Sequence, residues 1–193
     1  MSSLTLSKGS NLSLTKADPG LRKAMIGLGW DPRTTAGEQF DLDASALLVR
    51  ADGRVRSNDD FIFYNQLSSP DGSIVHQGDN RTGEGEGDDE QILIDLDTVA
   101  ADIAKIVIVV SIDQAEARHQ NFGQVRDAFC RVVNQETDNE VVRFDLTEDA
   151  AAETCMIFAE IYRNGGEWKF RAVGQGYASG LRGVATDFGI ALD

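Results

Sequence analysis

Basic residues are scarce in this chain. Its 18 Lys and Arg stand against 32 Asp and Glu, giving a formal net charge of −14 and a pI near 4.4. Duplex nucleic acid is held by cations that neutralise phosphates, so this balance argues against a nucleic-acid partner. It argues equally against an anionic membrane, unless a cation bridges the two, and it makes cations the natural partners. Proline is scarce too, at 3, and the hydrophobic fraction of 41% in 193 residues suffices for one globular domain with a real core. Only two cysteines occur, Cys130 and Cys155, with no CxxC or Cys/His cluster. They read as isolated reduced thiols in strands, which fits a reducing cytoplasm. The start MSSLTLSKGS has no basic region ahead of an apolar run, so no signal peptide is expected. The longest strongly apolar run, residues 106–110, is far too short for direct membrane insertion. Histidine is limited to His76 and His119, neither with Cys, Ser or a second His close in sequence. His76 is expected on the surface of a strand.

What the chain does have is acid. Residues 78–90 read GDNRTGEGEGDDE, with Asp79, Glu84, Glu86, Asp88, Asp89 and Glu90 opposed locally by Arg81 alone. Gly83, Gly85 and Gly87 alternate with the acids. In an extended segment, residues i and i+2 share a side about 7 Å apart, so Glu84, Glu86 and Asp88 are expected on one side. The glycines let carbonyl oxygens turn in beside them. Like charges at about 4 Å repel by roughly 4 kcal/mol when half-buried, and a bound cation would reverse that sign. An oxygen-only, flexible, anionic set suits calcium, with its about 6–8 oxygen ligands, better than magnesium, and it lacks what zinc and copper prefer. It is not an EF-hand. A second acidic cluster lies upstream at Asp31 and residues 40–43, where Asp41 and Asp43 share a strand face.

Period-two alternation recurs along the chain. Residues 3–6 and 12–15 are expected to form a hairpin turning at Lys8–Gly9. Strands follow over residues 21–30, 40–50, 61–64 and 74–76, then around Ile92 and Ile94. Residues 104–112, AKIVIVVSI, are apolar on both faces and read as a central strand. Residues 113–123 suggest a helical turn, four further strands follow to residue 174, and residues 179–188 read as a short C-terminal helix. The pattern predicts an all-β fold, a β-sandwich of two antiparallel sheets with a few short helices, as a single domain over 1–193. The stretch GQGYASG, residues 174–180, is expected to be a tight strand-to-helix turn and not a dinucleotide fingerprint.

The strings GLGWD, FDLDASA, FIFYN and GDNRTGEGEGDDEQI closely resemble the TerD family of tellurium-resistance and stress-response proteins. SIDQAEARHQNFGQVRDAFCRVVN and WKFRAVGQGYASGLRGVATDFG extend the resemblance over nearly the whole chain. It implies a calcium-binding β-sandwich with a pair of neighbouring Ca2+ ions and no established catalytic activity. It also implies bacterial cytoplasm, recruitment to the inner face of the membrane, and work beside other tellurium-resistance proteins, including a membrane-embedded one. The ligand set it implies is Asp31, Asp41, Asp43, Asp79, Asn80, Glu84, Glu86, Asp88, Asp89 and Glu90, with carbonyls from Thr82, Gly83 and Gly85. Asn65 and Asp60 are weaker additions.

Two other activities compete with a calcium-loaded binding module. A metal-dependent hydrolase of phosphate esters would clamp phosphate between paired cations at the same acids, with Arg81 and His76 nearby. Direct chemistry on tellurite would need Cys130 and Cys155.

Overall fold

Strands with apolar residues at alternate positions must bury one side, and two such sheets do so against each other. In the computed structural model, which describes residues 4–31, 40–78, 87–146 and 152–191, the result is a β-sandwich of two six-stranded sheets. The first sheet runs β1 (Leu4–Leu6), β10 (Asn139–Asp145), β9 (Arg126–Asn134), β3 (Lys23–Asp31), β7 (Glu90–Asp95) and β6 (Ile74–His76). The second runs β2 (Asn11–Ser13), β12 (Glu167–Tyr177), β11 (Cys155–Asn164), β8 (Ile103–Ile112), β4 (Leu42–Arg50) and β5 (Phe61–Ile62). Pairings are antiparallel except that of β1 with β10.

The shared core follows from the alternation. Ala24, Ile26 and Leu28 of β3 face Leu42, Ala44, Ala46 and Leu48 of β4 between the sheets. The central strand β8 sends Ile106, Ile108 and Val110 into that core and Val107 and Val109 into a second one on the outer face of its sheet. There α3 (Gly180–Phe188) lays down Val184, Ala185 and Phe188. That second core is why residues 104–112 carry no polar face. Two single-turn helices, α1 (Leu14–Ala17) and α2 (Ala115–Arg118), and two short 3-10 helices at Asn58–Asp60 and Phe122–Gln124 complete the described structure.

One expected pairing fails. Residues 3–6 and 12–15 do not form a hairpin. The turn at Lys8–Gly9 exists, with Gly9 at φ +83°, but β1 pairs with β10 in one sheet and β2 with β12 in the other. Alternation identifies a strand and leaves its partner open, and the turn here steps across the sandwich. Residues 174–180 do hold the expected strand-to-helix turn, with Gly180 at φ +64° opening α3. β12 runs through Gly174 and Gly176 to Tyr177, and the chain turns at Ala178–Ser179.

Candidate functional site

The described acidic residues of the two clusters lie at one end of the sandwich, where β3 ends and β4 and β7 begin. Their placement starts with two glycines. On β3, Ala24, Ile26, Leu28 and Trp30 point into the core, so Gly27 and Gly29 face out. A side chain at Gly27 would overlap the carboxyl group of Asp88, and one at Gly29 would overlap the Phe129 ring and crowd the Gly87 carbonyl. The glycines thus open a slot in the sheet surface into which the last part of the acidic segment folds. Gly87, at φ +114°, makes the bend.

Asp88 fills the slot with a side chain only 1% exposed. Arg131 of β9 meets it with two bonds, Nε to Oδ1 at 2.7 Å and Nη2 to Oδ2 at 3.1 Å, and reaches Glu140 at 3.0 Å with its third nitrogen. Paired guanidinium donors match a carboxylate in spacing and plane. Sequence reading missed this partner. Arg131 is 43 residues away, and only the β3–β9 register, with Gly27 opposite Arg131, brings it close.

Asp89 lies along the strand edge. Its N–H donates to the Leu28 carbonyl at 2.7 Å, and its Oδ2 accepts from the Trp30 N–H at 2.9 Å. Burial pushes its pKa up. The Trp30 bond opposes this, and the charges of Asp88, Glu90 and Asp31 add to the rise. Asp31, the exposed last residue of β3, therefore belongs to the same electrostatic cluster.

Glu90 and His76 point inward. His76 is 2% exposed, so it is a buried residue and not the surface histidine expected. Inward alternation on the short strand β6 places it beside Glu90 of β7. Its Nε2 lies 3.2 Å from Glu90 Oε2 and 3.0 Å from the Ala44 carbonyl, which ties the sheets together. Its Nδ1 accepts from the Gly78 N–H at 3.0 Å. Burial disfavours charge on the ring, but the bond and field of Glu90 outweigh it and raise the pKa, with help from the Ala44 carbonyl and Asp43. A second proton has to go to Nδ1, where it meets the Gly78 N–H.

From the second sheet come Asp41 and Asp43. The Asp41 carbonyl accepts from the Asp113 N–H at 2.8 Å. Asp43, half-buried and opposite Ser111, lines an open cleft of about 900 Å³ with Phe61, Phe63, Tyr64 and Leu181. Phe61 and Phe63 stack there at 4.8 Å. Of the weaker additions, Asp60 is buried and bonded by Arg56 through both oxygens, and Asn65 is exposed. Asp79, Asn80, Thr82, Gly83, Glu84, Gly85 and Glu86 lie outside the described residues, as does the expected sharing of one side by Glu84, Glu86 and Asp88.

Among the described residues, no group of three or more His, Cys, Asp and Glu side chains is arranged to hold a metal ion. The chemistry of the described part still fits a hard cation. The donors are oxygens, and burial, with added repulsion from Asp88, Glu90 and Asp31, raises the pKa of Asp89. Arg131 and His76 answer Asp88 and Glu90, while Asp31, Asp43 and Asp89 add further negative charge. Both cysteines are buried. Burial pushes the Cys155 thiol up to about 12 and raises Cys130 further, so neither presents a thiolate at neutral pH.

Comparison with known proteins gives one answer. The TerD domain matches residues 2–188. Tellurium resistance protein TerD of Serratia marcescens is 58% identical over 188 residues, covering 97% of this chain and 98% of that protein. General stress protein 16U of Bacillus subtilis is 53% identical over 190 residues, covering 98% of each. Among solved structures, a Streptomyces coelicolor homologue of telluride resistance protein TerD superposes with a TM-score of 0.70 at 28% identity, over 86% of this chain and 96% of that one.

Proposed function

From the premise that the chain belongs to the TerD family of tellurium-resistance and stress-response proteins, we propose that it is a non-catalytic calcium-binding protein whose acidic end, once ordered, presents a surface to partner proteins. A role in the stress response goes with the family. The observation that carries the calcium reading is Asp89, held half-buried among Asp31, Asp88 and Glu90 with its pKa raised. Asp31, Asp41, Asp43, Asp89 and Glu90 would hold the ion together with donors of residues 79–86. Asp88, gripped by Arg131, anchors the segment to the sheet. Bound calcium supplies the positive charge that this cluster lacks. The surface presented is the aromatic cleft that Asp43 shares with Phe61, Phe63 and Tyr64. Partners would be other tellurium-resistance proteins, met in the cytoplasm or at the inner face of the membrane; among the described residues no helix is long and apolar enough to cross a membrane.

Hydrolysis of phosphate esters fits less well. Among the described residues, Arg131 is committed to Asp88 and Glu140 and His76 to Glu90, so a phosphate using either would have to displace an ion pair. Chemistry at the thiols fits least, because both are buried and protonated.

Calorimetric titration of calcium into chelator-treated protein, over a magnesium background, tests the reading. Selective binding at micromolar concentration or tighter, with a raised melting temperature, is the expected result. No binding, or equal binding of magnesium, would overturn it.

A further inference from the structure

The outer face of the second sheet carries a different site at its far end. Asp43 stands near the start of β4 and Arg50 at its end, seven residues on, roughly 23 Å away at about 3.3 Å per residue. Antiparallel pairing puts Lys105 of β8 and Tyr162 of β11 at the Arg50 end. They line a pocket of about 330 Å³ together with Arg50, Arg163, Arg171 and a single acid, Glu160. Arg163 sends its guanidinium to the other face, over Trp168, but in a chain of net charge −14 the three remaining cations, Arg50, Lys105 and Arg171, around one carboxylate still run against the composition.

Lys105, Arg163 and Arg50 have fixed partners. Lys105 Nζ bonds Glu160 at 2.6 Å. Arg163 donates to the Val99 carbonyl at 2.7 Å and the Ala101 carbonyl at 3.2 Å, and its guanidinium lies 4.7 Å over the Trp168 ring. Arg171 stands opposite Glu160 in the strand register, but a Glu160 oxygen is already taken by Lys105. Arg50 bonds the exposed Asp52 through Nη2 at 2.9 Å, while its Nε is buried and has no acceptor among the described residues. A buried N–H without an acceptor is costly until one arrives. Asp52 and Glu160 together leave the cluster with an excess of positive charge.

We propose that this pocket binds a phosphate-bearing anion of about the size of a diphosphate. Guanidinium forks match phosphate oxygens in pairs, and Lys105 adds a point charge. The pocket lies at the small end of ligand sites, which suits a compact polyanion. The Arg50 Nε–H then gains an acceptor, and Tyr162 supplies a hydroxyl at the rim. The site is separate from the acidic end and does not depend on calcium.

The test uses the full chain, treated with chelator so that pyrophosphate meets no calcium. Inorganic pyrophosphate is titrated by calorimetry, and phosphatidic acid vesicles in phosphatidylcholine are tested by co-sedimentation. Arg171→Gln changes an exposed residue and serves as the folding-neutral variant, with its melting temperature as the check, and Arg50→Gln is the second. Saturable pyrophosphate binding that weakens at least about tenfold in both variants, the loss of a charge-assisted hydrogen bond, supports a soluble phosphate ligand. Vesicle binding alone, lost in the same variants, also supports the site and assigns it to a lipid headgroup. No binding of either probe overturns the proposal, and so does binding that Arg171→Gln leaves unchanged.

Discussion

Asp43 and Arg50 belong to the same strand, β4, yet their surroundings differ in kind. Around Asp43 the acids come from both sheets and crowd one another, and Arg131 and His76 are spent on Asp88 and Glu90. Around Arg50 the cations are in excess, and Lys105 and Arg50 are held by a neighbouring acid while keeping donors to spare. One end lacks positive charge and the other lacks acceptors. A net charge of −14 describes the average surface. It does not describe a pocket, where a few side chains set the local sign.

The comparison can be broken most severely at Asp88. Arg131→Ala leaves a buried carboxylate unpaired, and the expected loss is about 3–5 kcal/mol in urea unfolding of the metal-free protein. Gly27→Ala should act in the same direction by driving Asp88 out of its slot. Next in size is calcium itself. At a hundredfold excess over its dissociation constant it should stabilise the fold by about 2.7 kcal/mol. Asp43→Asn should shrink that gain while leaving pyrophosphate binding at the other end untouched; an unchanged calcium-induced melting shift in this variant would show that Asp43 is not part of the site.

A smaller effect has a distinctive sign. Burial and like charge raise the folded pKa of Asp89, so its ionisation costs stability. That cost is absent below the unfolded pKa and complete above the folded one. Asp89→Asn should therefore stabilise the metal-free protein at neutral pH, by on the order of 1 kcal/mol or less, and the advantage should fade on acidification. With calcium present the same substitution should weaken the ion's stabilising effect. Asp71 provides the contrast. Burial works against its ionisation, but bonds from Ser73, Ser69 and the Ala100 N–H lower its pKa to about 2. Asp71→Asn should cost stability at neutral pH, and the difference should close as pH falls toward that value. The smallest change belongs to the basic end. Asp52→Asn removes an exposed ion pair and should move stability by less than about 1 kcal/mol, while strengthening pyrophosphate binding.

Much of this architecture was legible in residue alternation. The double-faced apolar run of β8, the turn at residues 164–166 before β12, and the terminal helix α3 all lie where period and turn chemistry put them. The hairpin expected of the first strands does not form because alternation carries no information about pairing. The candidate site was legible as a list of acids but not as an arrangement. Nothing local to Asp88 announces Arg131, and nothing around His76 says that it faces Glu90 and not water. Gly27 and Gly29 were a signal in plain view. Two glycines at alternate positions of a strand leave one face bare, and something must come close to it.

The first strands also decide how the sandwich is closed. The segment Leu4 to Ser13 supplies the outer strand of both sheets, buckled by the turn at Gly9, whose N–H donates to the Ala172 carbonyl at 2.7 Å. It is a clasp along one side of the molecule. Releasing it would bare the edges of β10 and β12 together, two rows of N–H and C=O groups with no covering chain. The same segment of another copy would fit both rows equally well, so whatever loosens these ten residues, a protease cut or a bulky fusion, turns one molecule into a template for strand exchange with the next.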